Sequence, residues 1–282
     1  MAIRIGAVSY LNARPLSKGL ERSPDRFDVR YDLPSRCASL LHAGAIDLGL
    51  IPSIEYLGGD YRIVPGVGVV SDGPVASVAV FTRVPVSAIR SLALDTSSRT
   101  SVALIKVLCA RHFQIAPSFV TAGPDLAAMV SVADAALLIG EPALLADFER
   151  HGLQKIDLGA AWKAMTGLPF VYAFWAGAPG ALTSADVQAI QRARDEGRRD
   201  SEEVAAEYFA GEPERQALGA AYLREYIRYD VGARERDALE RFFALAAEIG
   251  ASPPARPLRF YDAPAHAERG TLPEPAGARG LE

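Results

Sequence analysis

The chain has 282 residues, half of them apolar, which is enough for two domains or one large one with sizeable cores. Its formal net charge of −4 argues against nucleic acid as a partner, so an anionic ligand would be held by local dipoles and a few cations. No uncharged apolar run is long enough to span a membrane and no secretory signal is recognisable, so we expect a cytoplasmic protein that does not bind membranes.

The first predicted strand, Ile3–Val8, runs into a polar stretch that Pro15 converts into the first turn of a helix. Ligands of open α/β sheets lie beyond the carboxyl ends of the strands. Ser9, Tyr10 and Asn12 are therefore candidate residues of a cleft mouth. A strand-to-helix turn with Asn12 as its capping residue explains the same stretch equally well.

Strands and helices then alternate. The next predicted elements are strand Val29–Leu33, helix Ser35–His42 and a strand within Ala45–Ile51, whose continuous apolar run is typical of a parallel sheet. Ser53 follows the last of these and is either a cleft residue or a cap for the turn Ile54–Leu57. Ser77 precedes the β-branched strand Val78–Thr82 and is either a ligand donor or a satisfied core serine.

The strongest local pattern follows the predicted strand Leu92–Leu94. Here five hydroxyl side chains and Arg99 precede the predicted helix Val102–His112. Free N–H groups and the helix dipole make such a place an anion site, with the candidate ligands Ser98, Arg99, Thr100 and Ser101. Simple capping by Ser98 or Thr100 needs only one hydroxyl. A carboxylate suits the site better than a polyphosphate, because the glycine spacing of a Walker loop is missing.

The later elements suggest an inserted unit. They are strand Ser118–Val120, helix Asp125–Val132, strand Ala135–Ile139, helix Ala143–Glu149, helix Ala160–Thr166 and the aromatic strand Phe170–Ala176. Glu141 follows a strand and is either a helix-end charge partner or a cleft acid. We expect Val78–Thr82 and Phe170–Ala176 to bracket a second lobe, with largely helical sequence after residue 184. The expected division is 1–83 plus 170–262 for the first lobe, 84–169 for the second and 263–282 for a mobile tail.

Familiar catalytic motifs are missing from the sequence. It has no nucleophile elbow, no zinc-protease motif and no cysteine pair at metal spacing, so we expect no metal. Cys37 and Cys109 fall in amphipathic patterns that indicate buried thiols. None of the four histidines follows a strand, so a reaction would run without an obvious histidine base.

Four stretches together resemble the chorismate dehydratase family of the futalosine route to menaquinone. They are Val8–Leu16, Asp47–Ser53, Leu94–Ser101 and Ile139–Leu144. The resemblance extends in order to about residue 260. It implies an α/β fold with two lobes, similar to type II periplasmic binding proteins, with a ligand cleft between the lobes. It also implies cofactor-independent loss of water from chorismate, giving 3-[(1-carboxyvinyl)oxy]benzoate.

The resemblance further implies that Asn12 and Ser77 are the polar groups nearest the reacting ring. We expect Asn12 to orient the leaving hydroxyl or the adjacent ring position, and Ser77 to bind the substrate on the opposite wall. The segment 98–101 would hold one carboxylate. Since no histidine is placed to act as the base, the enolpyruvyl carboxylate of the substrate is our candidate to take the ring proton.

Two alternatives remain open at this point. The 1,4-dihydroxy-6-naphthoate synthase of the same pathway is similar in fold, but its catalytic histidine lies in an Ile-His-Glu stretch, where this chain has Gly140 before Glu141. The other alternative is a cytosolic solute-binding or sensor protein without chemistry. The oligomeric state is not predicted.

Overall fold

The computed structural model describes residues 1–262, and the segment 263–282 predicted as a mobile tail lies outside the described residues. The strands are β1 (Ile3–Val8), β2 (Phe27–Asp32), β3 (Leu48–Pro52), β4 (Arg62–Ser71), β5 (Val78–Thr82), β6 (Ser91–Asp95), β7 (Ser118–Ala122), β8 (Ala135–Ile139), β9 (Gln154–Asp157) and β10 (Phe170–Gly177). The α-helices are α1 (Arg14–Ser17), α2 (Pro34–His42), α3 (Arg99–Leu108), α4 (Leu126–Val132), α5 (Glu141–Leu144), α6 (Leu158–Thr166), α7 (Ser184–Gly197), α8 (Ser201–Tyr208), α9 (Pro213–Glu225) and α10 (Ala233–Glu248). They form the α/β architecture with two sheets that the sequence predicts.

The first sheet has five strands in the order β2-β1-β3-β10-β4. Strand β1 pairs in parallel with β2 and β3, whereas β10 runs antiparallel between β3 and β4. Every residue of β3 is buried, as its unbroken apolar sequence requires. The loops that follow Val8 and Pro52 therefore leave the sheet at the same edge.

The second sheet repeats this plan in the order β7-β6-β8-β5-β9. Strand β6 pairs in parallel with β7 and β8, and β5 runs antiparallel between β8 and β9. The loops after Asp95 and Ile139 leave this sheet together and lead into α3 and α5. Each sheet thus presents its carboxyl-end loops at one edge, where ligand sites of α/β sheets form.

The boundary predicted for the first lobe, after residue 83, disagrees with the pairing of β5. That strand bonds to β8 and β9, so the chain has already entered the second sheet before Val78. The segment between Ser71 and Val78 makes the crossing, and the chain returns between Thr166 and Phe170. An apolar strand that is buried throughout carries no pattern that tells which sheet it joins, which explains the error.

Two strands were not predicted, and one helix was predicted too long. Strand β4 contains Pro65, Gly66 and Gly68, which are unusual inside strands, and β9 is a short segment of mostly polar residues. The helix expected over Ala143–Glu149 is wrong, since α5 ends at Leu144. The remaining predicted strands and helices are present, the strands Ile3–Val8, Val78–Thr82 and Ala135–Ile139 with the predicted bounds and the others with shifted ends.

The C-terminal helices return to the first sheet, as expected. Helix α7 packs on α1 and β4, and α10 packs on α3 and β10. Phe242 of α10 makes edge contacts with Trp162 and Phe170, so this helix also joins α6 to the sheet. Among the described helices, none has the length and apolar character needed to cross a membrane.

The contact between α7 and α1 leaves no room for a side chain at Gly197, where an added Cβ would overlap the carbonyl of Pro15. We expect Gly197→Ala to lower the free energy of unfolding by about 1–3 kcal/mol through overpacking. Gly123 is the control, because no atom lies within 4 Å of a Cβ added there. Urea unfolding should show a change below about 0.5 kcal/mol for Gly123→Ala. Equal stability of the two variants would contradict this packing.

Candidate active site

A cleft with about 450 Å³ of empty space, open solvent included, lies where the carboxyl-end loops of the two sheets face each other. It is lined by Val8, Tyr10, Asn12, Ala13, Pro34, Leu50, Pro52, Val69, Val78, Ser98, Ser101, Ile139, Gly140, Tyr172 and Ala173. Most of these residues end a strand or follow one, which is the placement that the sequence predicts for a ligand site.

The cleft is uncharged. Its walls are mainly aliphatic, and the polar groups among its described lining residues are one amide and four hydroxyls, those of Asn12, Tyr10, Ser98, Ser101 and Tyr172. Such a lining offers hydrogen bonds and helix dipoles to an anion but no ion pair.

Tyr10 lines the cleft and contributes one of the two aromatic rings among its described lining residues. Its ring lies against Gly140, where an added Cβ would stand 3.0 Å from ring carbons. Its hydroxyl donates to Ser97 Oγ at 3.1 Å, which connects the loop after β1 to the loop after β6. Burial raises the pKa of Tyr10 to about 12, so the phenol stays neutral. Ser9 does not line the cleft, and its N–H donates to the carbonyl of Asp32.

Ser77 is held by a buried tyrosine, Tyr222. Ser77 Oγ and the Tyr222 hydroxyl are 2.6 Å apart. Asn12 lines the cleft. Burial raises the pKa of Tyr222 well above its ordinary value, which keeps one proton on this oxygen. Ser77 is buried and does not itself line the cleft, but its carbonyl accepts the N–H of the cleft residue Gly140 at 2.8 Å.

The N-terminus of α3 opens onto the cleft, as the hydroxyl-rich segment predicts. Ser98 is the N-cap and accepts the N–H of Ser101, whose hydroxyl donates to Ser98 Oγ at 3.2 Å. Both side chains line the cleft. A carboxylate placed here would meet two hydroxyls and the positive end of the helix dipole.

Three predicted ligands face elsewhere. Arg99 pairs with Glu55 at 2.7 Å, and Thr100 Oγ1 accepts the N–H of Ile54. Ser53 donates to the carbonyl of Val171 at 2.8 Å. For Arg99 and Thr100 the reason lies in the geometry of α3. Successive residues of a helix turn by about 100°, so positions 98 and 101 share one face while 99 and 100 point away from it.

Glu141 does not line the cleft either. Its Oε1 accepts the N–H of Leu11 at 2.6 Å. Burial raises the pKa of this carboxyl. Glu141 thereby links the start of α5, which follows a strand of the second sheet, to the loop after β1 of the first sheet.

Sequence reasoning missed two of the buried tyrosines, Tyr172 in the cleft wall and Tyr222 against Ser77. Tyr172 lies in the predicted aromatic strand, but nothing in the pattern distinguishes it from its apolar neighbours. Tyr222 lies on α9, 145 positions from Ser77, so only the tertiary structure brings them together. Within residues 1–262, no group of three or more His, Cys, Asp or Glu side chains is arranged to hold a metal ion.

The sequence of the chain is similar to a family model and to known proteins. A family model described as menaquinone biosynthesis matches residues 3–248. A chorismate dehydratase of Thermus thermophilus is 31% identical over 263 aligned residues, covering 84% of this chain and 93% of that protein. A chorismate dehydratase of Campylobacter jejuni is 29% identical over 174 residues, covering 60% and 64%.

Solved structures share the fold at lower identity. The alkanesulfonate-binding protein SsuA of Xanthomonas axonopodis superposes with a TM-score of 0.66 at 17% identity, covering 89% of this chain and 94% of that protein. The periplasmic sulphonate-binding protein of Escherichia coli gives 0.63 at 20% identity, covering 99% and 98%. The two-lobed, binding-protein-like fold that the sequence predicts is confirmed.

The raised pKa of Glu141 makes stability depend on pH. The folded chain disfavours the ionised carboxyl, so stability present at acid pH is lost as pH rises from the ordinary Glu range through the raised pKa. Glu141→Gln keeps an acceptor for Leu11 and carries no charge. Its stability relative to wild type should therefore grow as pH rises from about 4 through the raised pKa, as measured by urea unfolding.

Glu141→Ala is the matched control for the hydrogen bond itself. It leaves the N–H of Leu11 without its acceptor, which should cost about 1–3 kcal/mol at every pH. Parallel pH profiles for wild type and Glu141→Gln would show that burial does not perturb this carboxyl.

Proposed function

The chain belongs to the menaquinone-biosynthesis family whose model covers residues 3–248, and from that premise we propose that it is a chorismate dehydratase. The reaction converts chorismate to 3-[(1-carboxyvinyl)oxy]benzoate and water. We infer a hydro-lyase that uses no cofactor. Free, buried Cys37 and Cys109 are in keeping with a reducing cytoplasm.

One observation above the others supports a mechanism in which the substrate supplies the base. The described lining of the cleft contains no carboxylate, imidazole or amine. Elimination breaks the ring C–H bond beside the enol ether, and its electron pair becomes the new ring double bond. The neighbouring ring hydroxyl leaves and forms water with the proton. Because the ring becomes aromatic, a weak base is enough, and the enolpyruvyl carboxylate of the substrate is held close enough to serve.

The geometry suggests how the ring is held. We place its carboxylate at the N-terminus of α3, against the hydroxyls of Ser98 and Ser101. Asn12 then orients the leaving hydroxyl, and Ser77, which is held by the neutral phenol of Tyr222, binds on the opposite wall. Tyr10 closes the cleft over the ring. We propose that the two sheets are the cores of two lobes that close on the substrate.

Gly140 argues against the naphthoate synthase alternative. Its φ of +66° and ψ of −149° lie in a region that is essentially restricted to glycine, and the Tyr10 ring occupies the space of any side chain. A histidine at position 140, on which the alternative chemistry depends, does not fit beside Tyr10.

Incubation of the purified chain with chorismate tests the proposed function. We expect loss of one water by mass analysis, together with the absorbance of a substituted benzoate. Chorismate that is bound but recovered unchanged would point to a solute-binding or sensor protein. Chorismate that neither binds nor reacts would remove the proposal altogether.

Alanine variants test the two central residues. Asn12→Ala and Ser77→Ala each remove a polar group at the reacting ring, and we expect turnover to fall by about 100-fold or more with little change in fold. Steady-state kinetics and circular dichroism check this. Ser131→Ala is the control, because its hydroxyl caps only the carbonyl of Ala128 on α4. Wild-type rates in both Asn12→Ala and Ser77→Ala would end the assignment of these residues.

A further inference from the structure

Ser77 is set in place by an unusual turn. The N–H of Ser77 donates to the carbonyl of Val75 at 2.7 Å, which closes a γ-turn around Ala76. Ala76 has a φ of +61°, a conformation that side chains other than glycine rarely adopt. A turn of this kind persists only where its surroundings hold it.

Two side chains of strand β9 hydrogen-bond to the backbone of this turn. Asp157 accepts the N–H groups of Val75 and Ala76, at 3.0 and 2.7 Å. Lys155 Nζ donates to the carbonyl of Ala76 at 2.7 Å. Because residues 155 and 157 are two apart in a strand, they share one face of the sheet. Strand β9 therefore binds both the N–H and the carbonyl of Ala76, that is, the peptide units on either side of this residue.

Lys155 has an uncommon environment for a lysine. Its ammonium lies 5.7 Å from the Phe81 ring centre and 6.0 Å from that of Phe148, and its second acceptor is the carbonyl of Ala143. Burial lowers its pKa. A cation kept in such a place at the cost of its hydration indicates a specific task, and the short bond to Ala76 is the strongest contact it makes.

We propose that Lys155 and Asp157 are positioning residues, which hold Ala76 in its strained turn and thereby set the Ser77 hydroxyl against Tyr222. Neither side chain lines the cleft. They act through Ser77, and the kinetic part of this inference rests on the proposed dehydratase function.

Lys155→Met tests the hold. Methionine keeps the apolar contact with the two phenylalanine rings but cannot donate to Ala76. We expect kcat for chorismate to fall about tenfold or more while KM stays within about threefold, because misplacement of a catalytic group mainly affects the chemical step. Lys155→Arg retains a donor and should recover most of the rate. Lys106→Met is the control, since that ammonium lies over the ring of Phe119 and contacts no cleft residue.

Substitution of Ala76 by glycine tests whether Lys155 acts through the turn. If Lys155 only stabilised the fold, Ala76→Gly would not restore the activity of Lys155→Met. Glycine adopts positive φ without strain, so the turn then needs less support. The double variant Lys155→Met with Ala76→Gly should therefore regain activity relative to Lys155→Met alone. Asp157→Asn is the second probe if Lys155→Met does not fold. It keeps one oxygen that can accept the N–H groups of Val75 and Ala76, but it loses the carboxylate charge.

A measurement without substrate separates this inference from the proposed function. Labelling with 3-fluorotyrosine, with Tyr222 assigned through Tyr222→Phe, reports the Ser77 contact by ¹⁹F NMR. We expect Lys155→Met to shift the Tyr222 resonance and Lys106→Met to leave it unchanged, whether or not chorismate reacts. A Tyr222 resonance and a kcat both unchanged in Lys155→Met and Asp157→Asn would overturn the positioning role.

Discussion

The cleft depends on a hydrogen bond between two buried hydroxyls, those of Ser77 and Tyr222. It joins the residue before a second-sheet strand to α9, which packs on α8. The contacts between Tyr10 and Ser97 and between Glu141 and Leu11 also link the loops of the two sheets. A hydrogen bond between neutral groups contributes only about 0.5–1.5 kcal/mol. These bonds therefore set the geometry of the cleft, whereas the apolar core shared by the two sheets supplies most of the stability.

An uncharged cleft also fits the way catalysis uses binding energy. A cation against each carboxylate would hold substrate and transition state equally well, which tightens binding without speeding the chemical step. The N-terminus of α3 offers a milder field, worth about 0.3–2 kcal/mol for an anion. Arg99, the cation closest to that terminus in sequence, is occupied by Glu55 on the outside. Orientation by hydroxyl and amide groups is what remains, and a reaction that ends in an aromatic ring needs little more.

The sequence was informative wherever function depends on local order. Strand ends, the cap at Ser98 and the polar stretch around Asn12 lie where the patterns predicted, because the carboxyl ends of neighbouring strands must share an edge. It was uninformative wherever function depends on which partner a residue meets. Thr100 and Ser101 look alike in sequence, yet only one faces the cleft, and β5 gives no hint of its sheet. Tyr222 and β9 lie far along the chain from the serine that they hold, so no local pattern reveals them.

The close fit between Tyr10 and Gly140 restricts how such a chain can diverge. No side chain can enter position 140 while the tyrosine ring stays where it is. A lineage that moved from this cleft to one with a catalytic histidine would have to shrink or displace the ring as well as change the backbone conformation at position 140. A single substitution at position 140 therefore does not lead from one cleft to the other.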